Sequence, residues 1–220
     1  AVHGVETWLR TAWDASRAIP LVRDSDLVIA IGGDGAMLRA ARVCGPENVP
    51  VLGINAGYLG FLTEVCPDDW EESLQKLLAR DYWIEERMMV RCEVQRNGSI
   101  VSTTEALNDV VISRGAIARS VQLETYIDGG WTTTYHGDGL IIATPTGSTA
   151  YALAVGGPIL PPELKNILVV AIAPHLSMDR PIVLSKGSTV RVVVDPHSLT
   201  EVMLTVDGEL IASLESSDTV

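Results

Sequence analysis

The sequence predicts an α/β domain over residues 1–87 followed by a β-rich domain over residues 88–220. Two observations carry this. Up to about Arg87, short apolar runs alternate with amphipathic stretches of helix length. Beyond it, alternating strand patterns and turn dipeptides succeed one another with little helical signal. A third observation concerns the core: 47% apolar residues against only one Phe and five Tyr mean a core of Val, Ile, Leu and Ala.

The elements follow in order. A helix is expected around Thr7 to Ala18. The run from Asp26 to Ile31 has the continuous apolar character of a strand buried on both faces. Gly32-Gly33-Asp34-Gly35 follows, then helical composition from Ala36 to Val43. A second strand, Val49 to Ile54, leads into a glycine-rich loop from Asn55 to Gly60. An amphipathic helix from about Asp69 to Ala79 comes next, with Asp68 as its expected N-cap and Glu71 three residues on. Trp70, Leu74, Leu77 and Leu78 form its apolar stripe. Strand, helix, strand, helix implies a parallel sheet with helices on both faces. In the second domain Val90 to Val94 alternates, Asn97-Gly98 marks a hairpin, and alternation resumes at Ile100. Further strands are expected at Asp109 to Ile112, Val121 to Ile127, Leu140 to Ala143, Ile167 to Ala173, Thr189 to Val194 and Val202 to Val206. The one helical segment expected there follows Gly147.

Composition narrows the function. A net charge of −12 argues against a nucleic-acid surface, which calls for a basic face. No window reaches the length of a membrane span, and no signal peptide is visible in Ala1 to Arg10. Cys44, Cys66 and Cys92 form no CxxC pair and read as reduced, which points to a cytoplasmic compartment. The four histidines show no metal-ligand spacing.

Three clusters carry chemistry. Gly32, Gly33 and Gly35 let a strand-to-helix turn bring its amides close to an anion, with the helix start adding partial positive charge. Asp34 would repel a phosphate in such a loop. It makes sense facing a metal ion or a hydroxyl that must lose its proton; the plainer alternative is a helix cap. Asn108 and Asp109, just before an apolar strand, could bind an adenine edge and a ribose diol, or could be an ordinary turn. From His136 to Tyr151 the chain packs Gly137-Asp138-Gly139, a short strand, and a hydroxyl-rich turn containing Thr144, Ser148 and Thr149. Those hydroxyls either cap a helix or cradle a nucleotide, and no nucleophile–base ordering accompanies them.

In this order, these motifs resemble the NAD kinase family. The likeness rests on Gly32 to Gly35, Asn55 to Leu62, Asn108-Asp109, Gly137 to Gly139, Thr144 to Tyr151, Gly156 to Leu160, Arg180-Pro181 and Asp207-Gly208. It runs from about residue 26 to 208, and the octapeptide Thr144 to Tyr151 is its most specific part. The resemblance implies an α/β nucleotide-binding domain joined to a β-sandwich. It implies transfer of a phosphoryl group from ATP, with Mg²⁺, to the 2′-hydroxyl of the adenosine ribose of NAD, giving NADP. Asp34 then matches the residue that activates that hydroxyl, and Gly32, Gly33 and Gly35 the phosphate loop. Asn108 and Asp109 match the adenosine-binding pair, and Asp138 the acid near the nicotinamide amide. Thr144, Ser148, Thr149, Ala150 and Tyr151 match positions lining the dinucleotide pocket. His136 stands at a position linked to the choice between NAD and NADH, which it leaves open, and Asp207 belongs to the matching motifs. The family assembles as homodimers or homotetramers. A lipid kinase sharing the glycine loop would need a membrane-facing segment that the sequence does not offer. A dinucleotide sensor without catalysis would be expected to lack Asp34.

Overall fold

The computed structural model describes residues 4–11, 14–57, 60–117, 119–175, 178–196 and 201–220. It divides into two compact units, Ala1–Glu85 and Glu86–Val220.

The first unit runs α1 (Ala15–Val22), β1 (Val28–Gly32), α2 (Asp34–Cys44), β2 (Val51–Asn55) and α3 (Trp70–Leu78). β1 and β2 pair in parallel, Val28 opposite Val51 through Gly32 opposite Asn55. The right-handed crossover that such a pair requires is supplied by α2. Several expectations shift here. The first helix begins at Ala15, not Thr7: Trp8 lies outside it and its indole N–H donates to the Ser25 hydroxyl at 2.8 Å. Proline at position 20 sits six residues into α1, beyond the first turn.

β1 is not buried on both faces. Ala30 is buried, whereas Ile29 and Ile31 are 42% and 64% exposed. A continuous apolar run says only that the strand can be covered twice, not that the described residues cover it. Asp68 does not cap α3. Pro67 opens a 3₁₀ turn over Pro67–Asp69, which moves the helix start to Trp70 and leaves no side-chain cap. The α3 stripe is only partly covered, with Trp70 and Leu78 exposed.

The second unit is a β-sandwich. Its strands are β3 (Val90–Arg96), β4 (Ser99–Ala106), β5 (Asp109–Arg114), β6 (Val121–Ile127), β7 (Gly130–Gly137), β8 (Gly139–Ala143), β9 (Ile167–Ile172), β10 (Ile182–Leu184), β11 (Val190–Val194), β12 (Val202–Val206) and β13 (Glu209–Leu214). One antiparallel sheet has the order β10-β9-β8-β5-β12-β13. The facing layer contains β11-β6-β7 and the β3-β4 hairpin, joined by the last residues of the chain. Thr219 bridges both Gln95 and Val193, and the Arg96 guanidinium grips the buried Asp218 at 2.6–2.9 Å.

Burial pushes the Asp218 carboxyl up. The hydrogen bonds from Arg96 and the Glu215 amide outweigh it, so the net shift is downward. Val110, Ile112, Leu140, Ile142, Val202, Leu204 and Val206 meet Val121, Leu123, Val192 and Val194 in the core between the layers. Strand alternation sends Val111, Ile141, Ala143, Leu168 and Val170 to the opposite face, under the short helix α4 (Tyr151–Ala154).

Three strands lie outside the sequence expectations: β7, β10 and β13. β7 reads Gly-Trp-Thr-Thr-Thr-Tyr-His-Gly, polar enough to pass for a loop, because it borders its sheet. Its turn, Asp128-Gly129, has φ of 49° and 80°, the twist of a two-residue hairpin, as do Asn97-Gly98 and Asp207-Gly208. The ninth strand stops at Ile172, where Ala173 turns left-handed at φ 46°.

Candidate active site

In the first unit everything converges on the carboxyl ends of the two parallel strands, where open α/β sheets bind ligands. Gly32 ends β1, Gly33 caps α2 in extended conformation, and Asp34 is the first helical residue. Gly33 has no side chain to cap with, and its carbonyl takes the amides of Ala36 and Met37. The amides of Asp34 and Gly35 therefore have no partner among the described residues and stand at the positive end of an eleven-residue helix.

The Asp34 side chain does not cap α2, which removes the plainer of the two sequence alternatives. It reaches across to the loop after β2. The Phe61 amide donates to Oδ2 and the Leu62 amide to Oδ1, both at 3.0 Å. Gly60 makes this seat possible: a Cβ there would lie 2.5 Å from Asp34 Cγ and overlap the carboxylate. Upstream, Asn55 accepts the Gly57 amide and the Ala56 amide donates to the Gly32 carbonyl, tying the loop to the end of β1. Two further residues of the matched stretch, Tyr58 and Leu59, lie outside the described residues.

In the second unit Asn108 and Asp109 open β5. Asp109 alternates with Val111, so it sits on the sheet face covered by the Thr144–Ala154 segment, opposite Ala143 in register. Asp109 is only 5% exposed, yet no group among the described residues donates a hydrogen bond to its carboxylate. Burial, aided by the Asp207 carboxylate, pushes it from 3.8 up to about 6. The Asn108 side-chain amide is likewise unpaired among the described residues. A buried carboxylate beside an amide, neither with a hydrogen-bond partner among the described residues, has the donor and acceptor set to recognise a polar ligand.

The hydroxyl-rich turn behind this pair builds shape more than it offers hydroxyls. Thr144 and Ser148 are fully buried. The Thr144 hydroxyl donates to the Leu107 carbonyl and accepts from the Gly147 amide. The Ser148 hydroxyl donates to the Pro145 carbonyl and accepts the Leu160 amide. Thr149 bonds to the Thr146 carbonyl at 3.2 Å. What this segment presents outward is Ala150 and the exposed ring of Tyr151.

Asp138 is not brought to this pair. It lies at the corner between β7 and β8, five residues from Ala143, or about 17 Å along β8. There its carboxylate takes the Arg114 Nε at 2.9 Å. Sequence reasoning missed Arg114, which ends β5 as an isolated basic residue with no motif around it. His136 lies in β7 opposite Gln122, and its carbonyl accepts the His175 amide. Among the described residues no group of three or more His, Cys, Asp or Glu could hold a metal ion.

Fold and site define a class: an α/β unit with a seated carboxylate at its strand ends, followed by a β-sandwich carrying an Asn–Asp pair whose side chains have no partner among the described residues. Comparison with known proteins makes this specific. Residues 3–82 match the ATP-NAD kinase N-terminal domain and residues 107–220 the ATP-NAD kinase C-terminal domain. The chain is 41% identical over 210 residues to the NAD kinase of Geobacter sp. (strain M21), covering 96% of this chain and 73% of that protein. It is 47% identical over 193 residues to that of Moorella thermoacetica, covering 88% and 61%. Among solved structures, yeast NADH kinase complexed with NADH superposes with a TM-score of 0.83 at 32% identity, covering 90% of this chain and 58% of that one. An Archaeoglobus fulgidus NAD kinase in complex with ATP gives 0.69 at 26%, covering 90% and 74%. The chain belongs to the NAD kinase family.

Proposed function

We propose that this member of the family transfers the γ-phosphoryl group of ATP to the 2′-hydroxyl of the adenosine ribose of NAD, with Asp34 as the group that receives the hydroxyl proton. The observation that carries the assignment is the seat of Asp34. A side chain kept only to cap a helix would turn toward its own first-turn amides. This one is instead fixed by two amides 27 and 28 residues away.

Each carboxylate oxygen has two lone pairs, so the Phe61 and Leu62 amides leave one on each for a hydroxyl. Held in place by the two donors, Asp34 acts chiefly by orienting the hydroxyl and takes its proton late. This suits a loose phosphoryl-transfer transition state, in which positioning contributes most. The ribose oxygen forms its bond to the γ-phosphorus, the bond to the bridging oxygen of ADP breaks, and the hydroxyl proton passes to Asp34. The open amides of Asp34 and Gly35 offer donors to phosphate oxygens. Asn108 and Asp109 take the adenosine, with Thr144, Ser148 and Thr149 shaping the wall and Ala150 and Tyr151 facing the ligand. Asp138, His136 and the nicotinamide end form the distal part of the same reading. Mg²⁺ belongs to it as the counter-ion that accompanies the ATP triphosphate. A homodimer or homotetramer in a cytoplasmic setting completes it; no helix of the described residues is long and apolar enough to cross a membrane.

The test is NADP formation from NAD and Mg-ATP, coupled to an NADP-specific dehydrogenase. Asp34→Asn is expected to lower kcat about 10²- to 10⁴-fold, the range for losing general-base assistance. It also sets an NH₂ group against one of two backbone amides, costing about 1–3 kcal/mol of stability while leaving the fold intact. A folded Asp34→Asn variant with wild-type turnover would remove Asp34 from the chemistry.

A further inference from the structure

The tripeptide Leu107–Asp109 is held by a carboxylate about a hundred residues away. Asp207, first residue of the tight turn between β12 and β13, accepts the Leu107 amide on Oδ2 at 3.0 Å. Its Oδ1 accepts the amides of Asn108 and Asp109 at 2.7 and 3.2 Å. In return, the Asp207 amide donates to the Asp109 carbonyl at 2.9 Å. From the other side the Thr144 hydroxyl donates to the Leu107 carbonyl and the Thr144 amide to the Asn108 carbonyl. Every backbone donor and acceptor of the three residues is thereby engaged, while the side chains of Asn108 and Asp109 are engaged by nothing described. Gly147 closes the back of the loop, since a Cβ there would lie 2.7 Å from Asn108 Cα.

This is the arrangement of a preorganised site: a backbone fixed on every side, with side chains that have no partner among the described residues. Three amides on one carboxylate make charge-assisted hydrogen bonds, roughly twice as strong as neutral ones. Asp207 is also the charged group that acts on the buried Asp109 carboxylate. We propose that Asp207 is a positioning residue for the dinucleotide: its carboxylate clamps the 107–109 backbone and so sets how Asn108 and Asp109 meet the adenosine. It does not itself touch the ligand. The proposal rests on Asn108 and Asp109 being the adenosine pair.

The experiment measures NAD affinity by calorimetry and steady-state kinetics from pH 5 to 8, in the wild type and in Asp207→Asn. The amide side chain keeps one acceptor and loses the charge. KM and Kd for NAD are expected to rise at least about tenfold, the scale of one charge-assisted bond, with KM for ATP unchanged. The acid limb of NAD binding is expected near pH 6 in the wild type, where Asp109 ionises. In Asp207→Asn it should move toward lower pH, a shift that loss of rigidity alone does not produce. Asp109→Asn should erase the limb. Should Asp207→Asn fail to fold, amide hydrogen exchange on the wild type decides: protection of the 107–109 amides is required, and exchange at exposed-loop rates overturns the clamp. A folded Asp207→Asn with wild-type NAD affinity and an unmoved limb also overturns it. Failure of the underlying adenosine assignment would show differently, as a wild type that does not bind NAD.

Discussion

Replacing Gly60 by Ala tests the seat of Asp34 without touching any group assigned to the chemistry. The new Cβ would fall 2.5 Å from Asp34 Cγ. Carbon atoms rest about 3.5–4.0 Å apart, so the carboxylate must retreat by at least roughly 1 Å. Its bonds to the Phe61 and Leu62 amides, now 3.0 Å, then stretch beyond hydrogen-bond range. A displacement of this size at a positioning group lowers kcat about 10²-fold. KM for NAD should change little, because the adenosine pair belongs to the other unit. The overpacking costs about 1–3 kcal/mol, which leaves the protein folded at 25 °C with Tm lower by several degrees. The coupled assay gives kcat and KM, and calorimetry gives Tm. A kcat within twofold of wild type would refute the reasoning. A second arm isolates the cause: in an Asp34→Ala background the clash has no partner, so adding Gly60→Ala should cost almost no further stability. If the Tm loss persists there, the carboxylate is not what Gly60 makes room for.

Two further outcomes follow from the second unit. Gly147→Ala brings its Cβ against the backbone of Asn108 rather than a side chain that can rotate away. It should destabilise by about 3 kcal/mol, read by denaturant unfolding, and weaken NAD binding in calorimetry while sparing ATP. Asp109→Asn should stabilise the protein at neutral pH. The folded value of Asp109 is raised from 3.8 to about 6. Its favourable contribution is therefore fully present below 3.8 and lost as pH rises through about 6. The penalty above that is about 3 kcal/mol. Unfolding midpoints of wild type and Asp109→Asn should converge below pH 4 and separate by pH 8; wild type being the more stable at pH 8 would show that its carboxylate is not desolvated.

The contrast among these three carboxylates is a matter of supply. Asp34 and Asp207 receive two and three backbone amides, whereas Asp109 receives none among the described residues and is destabilised as an anion. A ligand hydroxyl donating to Asp109 would relieve that penalty on binding, which is how a site gives up stability in the free protein to gain affinity.

Local chemistry was legible in the residue order alone. Gly32 to Gly35 after an apolar run announced a strand-to-helix turn, because a turn needs only residues that are neighbours in the chain. Asn97-Gly98 announced a hairpin for the same reason, and most sandwich strands showed their alternation. Asp128-Gly129 and Asp207-Gly208 carried the same hairpin signal, and using it would have found β7 and β13. Strand burial was less legible: the apolar run at β1 reads as doubly covered, yet coverage depends on neighbours that no periodicity names.

What no local pattern could disclose is which groups meet across the chain. The Asp34 side chain finds its donors at Phe61 and Leu62, and Asp207 finds its own at Leu107 to Asp109. Arg114 finds Asp138, and Gly60 and Gly147 are glycines because of what lies opposite them, not because of their own torsions. The sequence by itself determined the two kinds of domain, the loop chemistry and the family likeness, since these reside in spacing and side-chain type. Only the tertiary structure decided which carboxylates are seated, which one is left without donors, and which hydroxyls are turned inward. Hydrogen bonding and desolvation depend on distances in space, and chain positions a hundred residues apart are brought within 3 Å only by the packed fold.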